Sequence, residues 1–492
     1  MMRIPIVRKQ VKVYPDSKRV IARFFFNGDK RGKEVISKVM TLSDDQVFNI
    51  ISPLLQEYSK RHRNITKILR RHCKKLMIML ADMKIDYHNL NINRKLLIGS
   101  YFTHEYSVES AAFFNPSIIE DPDQRDLEEG EKRLIISFRA VGEGHISSIA
   151  FRRALIDRNN DIKVIEAGDY IDEAEIIKNA TYNKKLFLDR GLIASIDKNV
   201  LKLLDEKLEG QFDYLTLKKA IAETQQLEPD PARDIELEKV LWLSDSYYEI
   251  IFSLDTDISD RVIFPISEFE RKGIEDARFT KFVADDGTIT YYATYTAYDG
   301  NIIIPKLLKT TNFYEFNIGP LFGAGAQNKN LALFPRKING KYAMLSRIDG
   351  VNNYIMYADK INVWENPIKL QEPKYDWEFV QIGNCGCPIE TEDGWLIITH
   401  AVGPMRRYCL GATLLDLNDP TIEIGRLEEP LLIPNPDERE GYVPNVVYSC
   451  GSIINNDELI IPYGLSDYCS SFGTVNLKDL LARLKSSAHH NR

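Results

Sequence analysis

"DGTITYYATYTAYDG", residues 286–300, opens on a turn, climbs through an apolar strand pattern and ends in polar residues before a second turn. Four other stretches have the same plan: "GEKRLIISFRAVGEG" from Gly130, "NGKYAMLSRIDGVNNYIMYADKI" from Asn339, "DGWLIITHAVGPMRRYCLGATLLDL" from Asp393 and "NDELIIPYGLSDYCSSFGTVNL" from Asn456. From Asp286 onward the starts lie 53, 54 and 63 residues apart. A mostly β unit of that length, repeated, is what one blade of a propeller requires. The first interval is 156 residues long and holds surplus material. Within it "KNVLKLLDEKLEGQFDYLTLKKAIAETQQL" (198–227) reads as an inserted helical excursion. The expected architecture is an all-β five-bladed β-propeller with an N-terminal helical extension and a helical insertion in the first repeat interval.

The chain divides accordingly: a basic, largely helical region at 1–98, a propeller at 99–484 with its insertion at about 190–227, and a disordered tail at 485–492. Of 64 Lys+Arg and 71 Asp+Glu, residues 1–98 hold 22 and 8, so a basic arm precedes an acidic body. Val47, Ile50, Ile51, Leu54 and Leu55, then Ile65, Ile68 and Leu69, recur at three- and four-residue steps, the mark of amphipathic helices with a basic outer face. No RNA- or DNA-binding signature accompanies them, so that face is expected to dock on the acidic body or on a second subunit rather than on nucleic acid. No run of about 18 apolar residues offers a membrane span. The first residues lack the apolar segment of a secretory signal. Cys73, Cys385, Cys387, Cys409, Cys450 and Cys469 are scattered without zinc spacing, and read as reduced structural thiols of a cytoplasmic protein that needs no metal.

"GIEDARFTKF" (273–282) is the chemical anomaly. On a regular strand Asp276 and Arg278 share one face and Glu275 the other, yet Asp is depleted in strands. The repeats also put Arg139, Tyr295, Arg347, His400 and Tyr463 at nearly equivalent strand ends, which a radial fold would bring together. Such a group of cationic and polar residues beside a carboxylate suits an anionic or hydroxyl-rich ligand.

With these motifs in order, the chain from about 108 to 484 resembles glycoside hydrolase family 130, five-bladed propeller enzymes that act on β-mannosides. "FFNPSI" (113–118), "SFRA" (137–140), "GIEDARFTKF", "NKNLALFPRKINGKYAMLSR" (328–347), "GCPIETEDGWLIITHAVGP" (386–404) and "EREGYVPNVVY" (438–448) carry the resemblance. It implies that Asp276 is the general acid, protonating the bridging oxygen through a hydroxyl of the bound mannose. Lys329, Asn330, Arg347 and His400, with Arg406 and Arg407, would hold inorganic phosphate as co-substrate. Asn115, Arg139, Arg278, Tyr295 and Asp467 would line the sugar subsites. The expected reaction is inverting phosphorolysis of β-1,2-mannooligosaccharides to α-mannose 1-phosphate, without cofactor. Two alternatives stay open: an inverting β-1,2-mannosidase in which Glu390 and Glu440 activate water, and a noncatalytic carbohydrate-binding or scaffold propeller. The resemblance also implies a homo-oligomer, since helical extensions in this family tend to join subunits.

Overall fold

The computed structural model describes residues 4–178, 181–193, 196–227, 229–300 and 303–487. Five antiparallel strand sets, numbered below as sheets, follow one another along the chain; Gly273 pairs in parallel with Ser147, so the first two are continuous. The first runs Ala112–Glu120, Lys132–Val141, Ser147–Ile156 and Ile162–Val164. The second runs Gly273–Val283, Ile289–Tyr298, Ile303–Thr310 and Glu315–Pro320. Lys329–Leu333, Tyr342–Arg347, Asn353–Ala358 and Ile368–Gln371 form the third. Gln381–Asn384, Gly394–Val402, Tyr408–Leu415 and Glu423–Arg426 form the fourth. The fifth is built from Val447–Tyr448, Glu458–Leu465 and Cys469–Asn476. The turn-rich starts read from the sequence are its hairpin turns. At Asn339-Gly340, for example, both residues take positive φ (50° and 79°), a backbone conformation that Asn and Gly adopt at least cost.

Alternation along each strand buries one set of side chains against the preceding sheet and the other against the next. Ile149 and Phe151 of the first sheet share a core with Phe279 and Ala293 of the second. Phe282 and Leu307 pack with Leu331 and Met344 of the third. Phe334 and Leu345 pack with Trp395 and Ile397 of the fourth, and Leu396 and Leu410 with Leu459 and Ile461 of the fifth. Ile460 and Phe472 of the fifth sheet then meet Phe113 and Ile136 of the first. The molecule is thus mostly β, its sheets stacked in sequence with the last against the first.

Three boundaries differ from expectation. The region 1–98 is not set apart from the sheets: Val7–Val13 is the outer strand of the fifth sheet, with Val7 opposite Thr474 and Val13 opposite Ser470. Its sequence, VRKQVKV, alternates Val with basic and polar residues, which suits an edge. Val20–Phe24 pairs with Thr103–Ser107. Helices occupy the stretch between, Asp29–Met40 to Ile92–Tyr101, around a core that includes Ile36, Val47, Leu69 and Leu97. The helical insertion is longer than 190–227: helices Lys184–Ile193 and Pro231–Asp245 flank Lys198–Lys207 and Tyr214–Gln225, and Leu237, Val240 and Leu243 complete their shared core. Pro at the first helical position and the Asp230 side chain, which accepts from the Ala232 and Arg233 amides, start the last of these helices. At the other end, Lys485–Ser487 belong to helix Leu477–Ser487 rather than to a tail, and 488–492 lie outside the described residues.

The basic helical face does meet the acidic body. Arg71 pairs with Glu173 at 2.8 Å, Lys67 with Glu175 at 3.4 Å, and Arg63 with Asp255. The six cysteines form no disulfide. Among the described residues no helix is long and apolar enough to cross a membrane.

Candidate functional site

The oddity of "GIEDARF" is a bulge. Pairing between Gly273–Val283 and Ile289–Tyr298 slips between Glu275 and Arg278, and Asp276 takes a positive φ of 55°. The same device recurs in two other first strands. Register slips between Phe114 and Ser117 around Asn115 (φ 49°), and between Lys329 and Ala332 around Asn330 (φ 69°). Asn and Asp tolerate this conformation better than other side chains, at a cost of about 1 kcal/mol each. The bulge frees a short polar side chain from the in–out alternation, and this aims it away from the inter-sheet cores.

Two groups of polar residues gather there. Around Asp276, Asn115 Nδ2 donates to Oδ1 at 2.8 Å and Arg139 Nη1 lies 3.9 Å from the same oxygen. Glu275 is clamped between Arg139 Nη2 (2.6 Å) and Lys329 Nζ (2.8 Å). Burial pushes the Asp276 carboxyl up, but Arg139, Arg278, Lys329 and the Asn115 hydrogen bond outweigh it and hold it below the usual carboxylate range. Asp467 goes the other way: burial, together with Asp276 and Glu275, pushes it up to about 6 against the pull of Arg139 and Arg406.

The second group centres on Tyr448, whose hydroxyl accepts from Asn330 Nδ2 (2.6 Å) and Arg278 Nη2 (2.7 Å). The His400 ring lies tilted against it, ring centroids 4.7 Å apart at an interplanar angle of 57°. The Asn384 carbonyl, 3.2 Å from His400 Nδ1, can only accept, so Nδ1 carries the proton. Nε2 is then the acceptor for Arg347 Nη1 at 3.3 Å. Burial, Arg347 and Arg278 all push the His400 pKa down, so the ring is neutral. His400 therefore aims Arg347. Three guanidinium nitrogens, Nε of Arg139, Arg278 and Arg347, and the Oδ1 atoms of Asn115 and Asn330 are buried with no hydrogen-bond partner in the protein. Buried polar atoms left unpaired are costly, so this density of them marks a surface built to meet a polar ligand.

The remaining sequence candidates divide. Lys329 directs its ammonium to Glu275 in the first group, while its backbone pairs with Arg347 of the second. Arg406 is exposed on the loop around Pro404–Arg406, and Arg407 is half-buried beside it, its amide closing on the Pro404 carbonyl. Tyr295 turns into the core between the first two sheets, where it donates to Glu270 (2.9 Å) alongside Tyr248 and Lys306. It is one register step off: Thr296, not Tyr295, pairs with Glu275 just before the bulge, as Arg139 pairs with Phe114 and Arg347 with Lys329. Tyr463 likewise turns inward to Glu438, which Arg8 pairs from the other side. Glu390 is an exposed partner of Arg336 at 2.7 Å. It faces Trp395, five residues from His400 and so about 17 Å along the strand. Glu440 stays exposed on its loop. Both carboxylates expected to activate water are thus exposed, and Glu390 is committed to Arg336. Asn384, Tyr408 and Tyr448 were not singled out from the sequence, the two tyrosines showing only as members of quoted stretches, and Glu275 was named there only for the strand face it takes. Among the described residues no three His, Cys, Asp or Glu gather to hold a metal ion.

Comparison with known proteins adds an independent line. Residues 243–486 match the family model described as β-1,4-mannooligosaccharide phosphorylase. A 1,2-β-oligomannan phosphorylase of Thermoanaerobacter sp. (strain X514) is 36% identical over 219 residues, 44% of this chain and 72% of that protein. A β-1,2-mannobiose phosphorylase of Listeria innocua serovar 6a is 33% identical over 236 residues, 46% of this chain and 64% of the relative. A solved structure of the Listeria innocua β-1,2-mannobiose phosphorylase in complex with β-1,2-mannobiose aligns with 77% of this chain and 93% of its own, at 23% identity and a TM-score of 0.45.

Proposed function

The chain belongs to glycoside hydrolase family 130, an enzyme family, and from that premise we propose that it phosphorolyses β-1,2-mannooligosaccharides with inversion, releasing α-mannose 1-phosphate. The observation that carries this reading is the pairing of two buried arginines, Arg278 and Arg347, around Tyr448 and Asn330, next to the single bulge-presented carboxylate Asp276. Guanidinium forks match phosphate oxygens, and phosphate arrives already ionised. No protein base is then needed, in contrast to the two-carboxylate arrangement of an inverting hydrolase.

In the proposed step a phosphate oxygen held by Arg278, Arg347 and Asn330 attacks the anomeric carbon of the terminal mannose from the face opposite the leaving oxygen. As the bond to the bridging oxygen breaks, a mannose hydroxyl gives that oxygen its proton and takes one from Asp276. Arg139 and Asn115 orient the acid. Asp276 is held ionised by its cations, so phosphate, by adding negative charge to the same group, would raise its proton affinity as the ternary complex forms. Proton uptake would be coupled to phosphate binding.

The five sheets are read here as blades arranged about one axis. Support comes from the shared core between the fifth and first sheets and from Val7–Val13 completing the last sheet from the far end of the chain. Bulges in three first strands would then face one axis.

Product analysis tests the reaction: β-1,2-mannotriose is incubated with and without inorganic phosphate and the products are followed by anomeric proton NMR. Mannose 1-phosphate formed only with phosphate is the expected result. Free mannose formed equally in both makes the enzyme a hydrolase.

A further inference from the structure

His145 and Tyr442 touch each other from two loops, one following the strand of Arg139 and one packed on Ser466 beside Asp467. Their ring centroids are 5.3 Å apart at an interplanar angle of 31°, although nearly 300 residues separate them. Each sits on an anchored loop. His145 follows the strand that carries Arg139, in a turn closed by the Gly142 amide on the Ile146 carbonyl (3.2 Å) and the His145 amide on the Gly142 carbonyl (3.2 Å). Tyr106 ties that turn down, its hydroxyl donating to the Glu143 and Ile146 carbonyls at 3.0 and 3.3 Å. On the other side, the Val443 amide donates to the Ser466 carbonyl at 3.0 Å and the Ser466 hydroxyl to the Glu438 carbonyl at 2.7 Å. A Cβ on Gly441 would lie 2.4 Å from that same Ser466 carbonyl, so the chain beside Tyr442 is pressed onto the residue that precedes Asp467.

Despite this anchoring the rings themselves are left in water: Tyr442 is 70% exposed and His145 is exposed as well. Scattered exposed aromatics need no explanation. A pair held in contact by two separately fixed loops is different, because an exposed ring pair adds little to folding yet costs no ordering when a ligand arrives. A mannopyranose ring offers a face of C–H groups, and such faces pack on aromatic side chains while the hydroxyls at the ring edge seek polar groups. Arg406, exposed on the neighbouring loop and close enough for its charge to act on Asp467, supplies such a group.

We infer that the His145–Tyr442 pair is the platform of a subsite for the mannose unit one beyond the pair flanking the cleaved bond, making the enzyme selective for chains longer than a disaccharide. This rests on the reading of the site as a mannoside phosphorylase. Asp276, Arg139 and Asp467 serve the buried end of the ligand, and the pair stands outward of Asp467 at the exposed rim, where the uncleaved remainder of a longer chain would lie.

The test compares β-1,2-mannotetraose with β-1,2-mannobiose, both with saturating phosphate, in the wild type, Tyr442→Ala, Tyr442→Phe and the double variant His145→Ala/Tyr442→Ala. The ratio of kcat/KM for the tetraose to that for the biose is expected to fall about tenfold in Tyr442→Ala and further in the double variant, through KM. Tyr442→Phe, which keeps the ring, is expected to retain the wild-type ratio. A ratio unchanged in the double variant overturns the subsite, as does an equal loss on both substrates, which would move the contact to the unit next to the cleaved bond. A wild type inactive on both overturns the phosphorylase reading and the subsite with it, and that outcome is visible before any variant is made.

Discussion

Arg347 donates to Nε2 of His400 at 3.3 Å, and the opposite ring nitrogen of that histidine is fixed by the Asn384 carbonyl. A neutral imidazole thus aims a buried cation. Arg347 has its pKa lowered by burial, against the pull of Tyr448 and Tyr408, with a contribution from Arg278 in the same direction as burial. Two guanidinium groups kept close in a dry setting repel each other, and an anion relieves that repulsion.

His400→Phe should therefore act through Arg347. KM for phosphate is expected to rise about tenfold while KM for the mannoside changes by less than about threefold. Arg347→Lys, which loses the planar fork, should raise KM for phosphate by a similar or larger factor. Initial-rate kinetics with each substrate varied in turn separates the two. Equal effects on both substrates would remove His400 and Arg347 from the phosphate side.

Asp276→Asn is expected to lower kcat about a thousandfold, within the range general acid catalysis supplies, with little change in KM. Isothermal binding of β-1,2-mannobiose by the variant checks that the loss is chemical. A variant that still turns over within tenfold of the wild type would take the proton-donor role away from Asp276.

Asp467 gives a pH signature. Its carboxyl is raised to about 6 in the folded protein, so in the window between its ordinary value and about 6 the folded state binds more protons than the unfolded one. Its contribution to stability is full below that window and is lost as pH rises through about 6. Asp467→Asn should accordingly raise Tm relative to the wild type at pH 8, by about 1–2 °C, with a smaller or no gain at pH 4. Asp276 has the opposite sign: its lowered pKa contributes stability above its ordinary value that is lost as pH falls. Calorimetry of Asp467→Asn at both pH values decides, and an equal shift at each would mean the carboxyl is not raised.

Lys306 and Glu270 are both fully buried, 2.8 Å apart, and Tyr248 and Tyr295 donate to the same carboxylate. Lys306→Met leaves that charge unpaired and should cost about 3–5 kcal/mol of stability. Tyr295→Phe removes one donor among several and should cost about 1 kcal/mol, leaving KM for mannosides as in the wild type. Urea titration and initial rates check both. A raised mannoside KM in Tyr295→Phe would return Tyr295 to the sugar site.

Much of this was legible along the chain, because what made it legible is local. Turn residues need positive φ, strands need alternation, and helices need three- and four-residue spacing, so the five hairpin units, the basic helical region and the middle of the insertion could all be read from short windows. Asp276 stood out for a local reason too, since a carboxylate inside an apolar strand pattern conflicts with strand propensity.

What only the tertiary structure decided is non-local. Tyr295 and Arg347 end equivalent strands, yet one is buried against Glu270 and the other against His400. Which face a strand-end residue takes depends on where its neighbour's bulge falls, and a bulge shifts register by one residue without a reliable mark in composition. Glu390 and Glu440 looked equivalent to other carboxylates until Arg336 and solvent claimed them. The strand Val7–Val13 pairs with residues more than 450 positions away, beyond the reach of any local pattern. The repeats and the unusual carboxylate were written in the sequence itself, while the partners of each charge came from the packing of distant strands against one another.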